Sequence, residues 1–489
     1  MAAPWIADNG DGTYRNPILY ADWSDPDAVR VGDDFYMTAS SFHRVPGLPV
    51  LHSRDLVTWS VIGHALPRLE PVEEFRTPQW GCGVWAPALR HHDGLFWIVY
   101  PDPDRGIFVV TATDPAGPWS RPWLLKGGRG LIDPCPLWDD DGSAYLVHGW
   151  AKSRAGINNK LTAHRMSPDA TELLDEGRVV VDGDALPGYR TLEGPKWYRR
   201  DGWYWIFAPA GGVATGWQSV FRSRHVFGPY EDRIVLAQGD TDVNGPHQGA
   251  WVTTSKGEDW FLHFQERGPF GRIVHLQPMR WGAEGWPEIG AAGKPVPGHA
   301  KPAVADAGPG TARTAEISDL QWTWSANPEL GWATPLPGGG FRMACVPGGD
   351  DLRALPNVLG RRLPADRFRA TVTLGLTGAS AGARAGFTVL GATYAWIGVV
   401  RTVDGDRLVH RVADEGAAEV DAAPATPVDT PVTLGVDVHP DGTCRFRAGD
   451  EPVGPPFPAT GGRWVGATLG IFATGDGGTA DFSDPRVTA

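Results

Sequence analysis

Asp22, Asp25 and Asp27 crowd around Pro26 in the stretch ADWSDPDAVRVGDDFY, residues 21–36. The Asp-Pro pair returns at Asp133-Pro134 in LIDPCPLWDDDG, and a related Glu193 stands in LEGPKWY. Carboxyl groups brought together cannot all ionise freely, so crowding spreads their pKa values and leaves one protonated near neutrality. A protonated acid beside an ionised carboxylate is the pair that cleavage of a bond between two sugars requires. One group protonates the leaving oxygen while the other activates water or attacks the ring. An Asp before Pro is by itself an ordinary turn or cap residue, so this chemistry depends on elements that bring the three acids to one place.

Those elements show as a repeat. A tight turn followed by an aromatic-rich strand recurs as VGDDFYMTAS (31–40), HHDGLFWIVY (91–100), DDDGSAYLVH (139–148), RRDGWYWIFA (199–208) and SKGEDWFLHF (255–264). Asp-Gly between apolar runs is the strongest short-range hairpin signal. Each preceding strand opens with a proline among its first residues, in DPDAVR, WAPALR, DPCPLW, EGPKWY and GPHQGAW, where a missing N–H is tolerated. Counting back nine positions from Asp34, Gly94, Gly142, Gly202 and Gly257 reaches Asp25, Trp85, Asp133, Glu193 and Gln248, the last beside His247. The turns lie 60, 48, 60 and 55 residues apart, about the length of a four-stranded propeller blade with its loops. Five units predict a five-bladed β-propeller, whose innermost strands bring Asp25, Asp133 and Glu193 to one mouth of a central channel beside Trp85. Pro26 is expected to hold Asp25 in an extended conformation, and strand alternation to turn Asp25 and Asp27 to the same side at different depths. Asp22 and Asp27 are then supporting groups.

The rest of the chain fits an all-β protein. With 489 residues, 64 Gly, 44 Pro and 23 Trp, it is long enough for two domains built from short strands and tight turns. Residues 1–295 read as the propeller and 296–317, rich in Ala, Pro and Gly, as a linker. Residues 318–489, with short alternating segments such as FRATVTLGL and YAWIGVVRT, read as a β-sandwich of jelly-roll type. A net charge of −13 disfavours nucleic acid and anionic membrane surfaces as partners and suits a neutral oligosaccharide. Trp85, Phe42, Trp23 and Trp217 are the candidate stacking faces for sugar rings. Arg272 in GPFGRIVHL can lie near the carboxylates and donate two hydrogen bonds to sugar hydroxyls, or be an ordinary surface arginine. His247 can bond an acid or ligate a cation, a satisfied channel histidine being the plainer role. The four cysteines lack C-x-x-C spacing and are expected as unpaired thiols. No basic or apolar leader opens the chain, so the cytoplasm is the expected compartment. The Asp139–Gly142 turn lacks the ligand pattern of a calcium loop, and Ser380 in GASAG reads as a loop serine.

These blocks, with NPILYADWSDPDAVRVGDDFYMTASSF, GVWAPALR and NGPHQGAWV, resemble glycoside hydrolase family 43 over nearly the whole chain. The resemblance implies an inverting propeller hydrolase of pentosans carrying a β-sandwich module, as in the β-xylosidase and α-L-arabinofuranosidase branches. It implies Asp25 as general base, Asp133 as the residue that orients and tunes the acid, and Glu193 as general acid. It also implies Arg272 as substrate arginine and His247 as the channel histidine, which in some members lies near a calcium ion; no cofactor is required. Asp27 departs from the serine of many members and stands close enough to affect Asp25. The expected activity is exo-removal of terminal α-L-arabinofuranose from arabinoxylan-type oligosaccharides, with β-D-xylosidase or a dual enzyme as the alternative. A non-catalytic sugar-binding propeller and a retaining fructoside hydrolase are remoter alternatives. A homo-oligomer is compatible with this reading.

Overall fold

A computed structural model describes residues 4–304 and 319–489. Five four-stranded antiparallel sheets follow one another from Asp27 to Ile289, each with its strands in chain order. Their first strands are Asp27–Val31, Ala88–His92, Leu131–Trp138, Lys196–Arg200 and His247–Thr253. The hairpins at Asp93-Gly94 and Asp201-Gly202 have positive φ at both turn residues, the mirror-image turn whose twist matches that of the flanking strands. Pro26, Pro87, Pro195 and Pro246 each stand just before a first strand, and Pro134 sits in the bulge between Ile132 and Cys135. No ladder bond is lost at these places.

Apolar side chains on facing blades close the ring. Phe35, Met37 and Leu51 of the first blade pack with Ala250, Trp260 and Leu262 of the fifth. Val50 packs with Leu89 and Ile98 between the first and second blades, and Val99 and Val109 with Leu131 and Leu146 between the second and third. Cys135 and Val147 meet Trp197 and Ile206, and Phe207 meets Phe261. A two-stranded clasp, Thr13–Arg15 against Gly298–Ala300, completes the closure, with Asn16 bonded to both Leu276 and Val296. The segment expected as a linker, 296–317, therefore begins as a strand of the propeller, because Asn16 and the clasp satisfy its backbone; residues 305–317 of it lie outside the described residues. The propeller and sandwich architecture expected from the sequence is the one observed.

Two eight-stranded sheets form the sandwich. In Phe368–Thr377 every second residue, Phe368 to Leu376, is buried against the other sheet, the alternation of a sheet covered on one face. The sandwich is bonded to the propeller at Trp324 with Val45, at Asn327 with Leu69, and at Gly466 with Asp22. The only α-helix among the described residues is the single turn Lys152–Ala155. The four cysteines are free, and Cys82 alone is incompletely buried.

Candidate active site

Asp25, Asp133 and Glu193 come together at the start of the first, third and fourth blades. Gly194 donates its N–H to Asp133 Oδ2 at 2.8 Å. A Cβ built on Gly149 would sit 3.7 Å from Glu193 Cα and 3.8 Å from Asp133 Oδ2. The backbone there differs from the expectation. Asp25 and Asp133 have φ of 55° and 56° and are not extended. Proline bars the right-handed helical region to its predecessor, and of the regions left, Asp tolerates the left-handed one. Such a conformation costs about 1–3 kcal/mol and persists where surrounding contacts over-determine it.

The contacts of Asp25 do so. Its Oδ2 accepts from Ser24 Oγ at 2.7 Å and Ser40 Oγ at 2.6 Å, and Arg272 Nη1 lies 3.0 and 3.1 Å from its two oxygens. The turn at Asp25 also breaks strand alternation. Asp27, fully buried, leaves the channel mouth and accepts from Leu89 N and Arg90 Nη1, both at 2.8 Å, with Lys196 Nζ at 3.7 Å. It is a wall group tying three blades, not a partner of the base.

The hairpin registers Val31–Asp34 and Arg200–Trp203 make Gly194, with φ of 61°, the counterpart of Asp25. Glu193 falls one residue earlier than the count of nine placed it. That offset carries it toward the opening: its side chain is 25% exposed, whereas Asp133 is 4% exposed. Glu193 Oε1 lies 3.0 Å from His247 Nε2. Burial, then the Glu193 and Asp25 charges, push Asp133 up to about 8, against the Gly194 N–H and the Lys196 charge. The group of three carboxyls therefore holds a proton at neutral pH.

His247 is buried at the start of the fifth blade. Its Nε2 faces Glu193, and its Nδ1, which has no bonding partner, faces Gly216, where a Cβ would come within 3.1 Å. Among the described residues no three His, Cys, Asp or Glu side chains are grouped to hold a metal.

The candidate aromatics divide. Trp85 is half-buried, bonded through Nε1 to Gly81 O and covered on one side by the Arg154 guanidinium at 5.2 Å. Phe42, contrary to expectation, is buried, packed against Trp85 with centroids 6.3 Å apart, so it offers no open face to a sugar. Trp217 is half-buried beside Gly216 and carries the Arg190 guanidinium at 5.6 Å. Trp23 is a correction: it is buried in the propeller core, its ring under the Arg362 guanidinium at 3.9 Å, so it offers no open face to a sugar. Trp464, in a sandwich loop, was not anticipated. It is 39% exposed, and its ring centroid lies 6.3 Å from that of Trp85 and 6.0 Å from the Arg272 guanidinium. A cavity of about 300 Å³ opens between Glu266, Gly268, Gly271 and Arg272 of the fifth blade and Gly461, Gly462, Trp464 and Val465 of the sandwich. The signal available in the sequence was an indole flanked by glycines in GGRWVG. Ser24, Ser40 and Lys196 also went unmarked, since single serines and lysines carry no pattern.

The family model for glycosyl hydrolases family 43 matches residues 14–287. The chain belongs to glycoside hydrolase family 43. This family 43 chain also matches, over residues 314–488, the β-xylosidase C-terminal concanavalin A-like domain. It is similar to a putative beta-xylosidase of Xylanibacter ruminicola, 38% identical over 96% of this chain and 87% of that protein. It is similar also to a non-reducing end alpha-L-arabinofuranosidase of Bacteroides ovatus, 31% identical over 73% of this chain and 70% of that protein. In fold it matches the crystal structure of a xylan beta-1,4-xylosidase from Bacillus halodurans, with a TM-score of 0.85 and 24% identity over 97% of this chain and 100% of that one.

Proposed function

We propose that this family 43 hydrolase is an exo-acting, inverting β-D-xylosidase that removes terminal xylose from short neutral oligosaccharides. What carries it is the gathering of Asp25, Asp133 and Glu193 at one channel mouth, where burial and the Glu193 and Asp25 charges push Asp133 up to about 8. In the reaction, Asp25 takes a proton from water as its oxygen bonds the anomeric carbon. Ser24, Ser40 and Arg272 hold that carboxylate in place. The glycosidic C–O bond breaks on the opposite face and its oxygen takes a proton from Glu193, which opens to the mouth and is steadied by His247. Asp133, held on Gly194, keeps a proton on the pair. Base and acid would stand roughly 6.5–9.5 Å apart, leaving room for the water. Xylose is preferred over the arabinofuranose expected from the sequence because the relative similar to this chain over 96% of its length is named for xylosides, whereas the one named for arabinofuranosides covers less.

The test is hydrolysis of aryl β-D-xyloside and aryl α-L-arabinofuranoside side by side, with proton NMR of the first sugar released. The xyloside should turn over faster, by about tenfold or more in kcat/KM, which is 1.4 kcal/mol in the transition state, and α-D-xylose should appear first. A faster arabinofuranoside would restore the arabinofuranosidase reading, and β-xylose appearing first would exclude inversion.

A further inference from the structure

We propose that Asp22 is a positioning residue that couples the docking of the sandwich loop carrying Trp464 to the placement of Arg272 on Asp25; this rests on the catalytic reading of Asp25 above. One buried carboxylate spans the two. Its Oδ1 accepts the backbone N–H of Arg272 at 3.0 Å, and its Oδ2 accepts that of Gly466 at 2.8 Å. Arg44 stands 4.0 Å from Oδ2 while bonding Gly466 O at 2.9 Å. The Asp22 carbonyl accepts from Arg362 of the sandwich at 2.6 Å. From Asp22 the chain runs directly to the base: Trp23 N bonds Arg272 O at 2.9 Å, and Ser24 Oγ and Asp25 both receive Arg272 Nη1.

The packing leaves no slack. A Cβ on Gly271 would come within 2.4 Å of Asp22 Oδ1, and one on Gly466 within 2.8 Å of Gly271 N. Ala467 N bonds Pro269 O at 2.8 Å, so the sandwich loop lies along residues 269–271, immediately before Arg272. Trp464, two residues from Gly466, is held at a φ of 67°, a conformation that a bulky residue keeps only under outside constraint. Asp22 can serve both N–H groups because a carboxylate accepts at each oxygen. An amide accepts at one oxygen only, so Asp22→Asn leaves one buried N–H facing an NH₂ group. Either Arg272 or the loop must then shift.

The experiment is a double-mutant cycle on aryl β-D-xyloside, read separately in kcat and KM, together with trypsin cleavage after the exposed Arg463 followed by mass spectrometry. Asp22→Asn is expected to lower kcat/KM by about tenfold or more, through both constants. Trp464→Ala should cost about tenfold in the wild type and less than threefold in the Asp22→Asn background. Tryptic cleavage after Arg463 should quicken about tenfold in Asp22→Asn as the loop loosens. Gly466→Ala wedges the same contact from the sandwich side while leaving the carboxylates in place, and should reproduce both results if Asp22→Asn does not fold. An undiminished Trp464→Ala penalty, an unchanged kcat/KM or an unchanged cleavage rate overturns the coupling. If wild-type protein hydrolyses neither aryl pentoside, the functional reading fails instead, and the cleavage rates still decide whether Asp22 holds the loop.

Discussion

The two sides of the channel mouth are both built where a blade's first strand begins, yet they surround their acids in opposite ways. On the first-blade side every contact of Asp25 is a donor: two serine hydroxyls and an arginine borrowed from the fifth blade. On the other side Asp133 has one backbone N–H, Glu193 has one imidazole, and the charges that weigh most on Asp133 are other carboxylates. On the proposed mechanism, a repeated scaffold separates a proton acceptor from a proton donor by what neighbouring blades lend to each: crowding would supply the acid, and donors would fix the base.

The largest break in this contrast is to remove either partner. Asp25→Asn and Glu193→Gln should each lower kcat on an aryl xyloside by about 10³-fold or more, at the upper end of what one acid or base contributes, with the fold intact by circular dichroism. A surviving rate near wild type in either variant removes that residue from its role. A subtler break acts on the proton. Because Asp133 is pushed up to about 8, kcat/KM should fall as pH rises past about 8, when the shared proton is lost. Asp133→Asn removes one of the two carboxyls that share this proton, so the alkaline limb should move to lower pH. A limb that stays at its wild-type position would show that the two carboxyls do not share a proton.

The contrast was half visible in the sequence. The five turn-strand repeats and the Asp-Pro pairs were enough to name the propeller and to gather Asp25, Asp133 and Glu193, because hairpin chemistry and blade length are local properties. The details that give each acid its character depend on partners far away in the chain. Arg272 reaches Asp25 across 247 positions, and Trp464 belongs to another domain. The count of nine misplaced Glu193 by one residue because Gly194, not Glu193, takes the left-handed position before proline. The expectation of an extended Asp25 failed for a related reason. The rule that proline disfavours the right-handed helix was sound, but nothing local chose between the two regions it leaves open; Ser40 and Arg272 make that choice. Trp23 misled because an indole beside an acidic motif reads alike whether it faces a sugar or, as here, an arginine of the sandwich.

The smallest effect is one of stability, and it sharpens the contrast because it concerns the acid side alone. A buried carboxyl whose pKa in the folded chain is raised from its ordinary 3.8 to about 8 favours the fold most when protonated in both states. That contribution is complete below about pH 4. It is lost progressively as pH climbs toward 8, because the unfolded chain releases this proton first. Asp133→Asn has no proton to release, and its amide oxygen can still accept the Gly194 N–H. The variant should therefore melt higher than the wild type by an amount that grows from about pH 4 to about pH 8 and levels off beyond, reaching a few degrees. Scanning calorimetry across that range checks it. A difference in Tm that does not change with pH would mean that Asp133 is ionised in the fold throughout, and the proton would then have to rest on Glu193 alone.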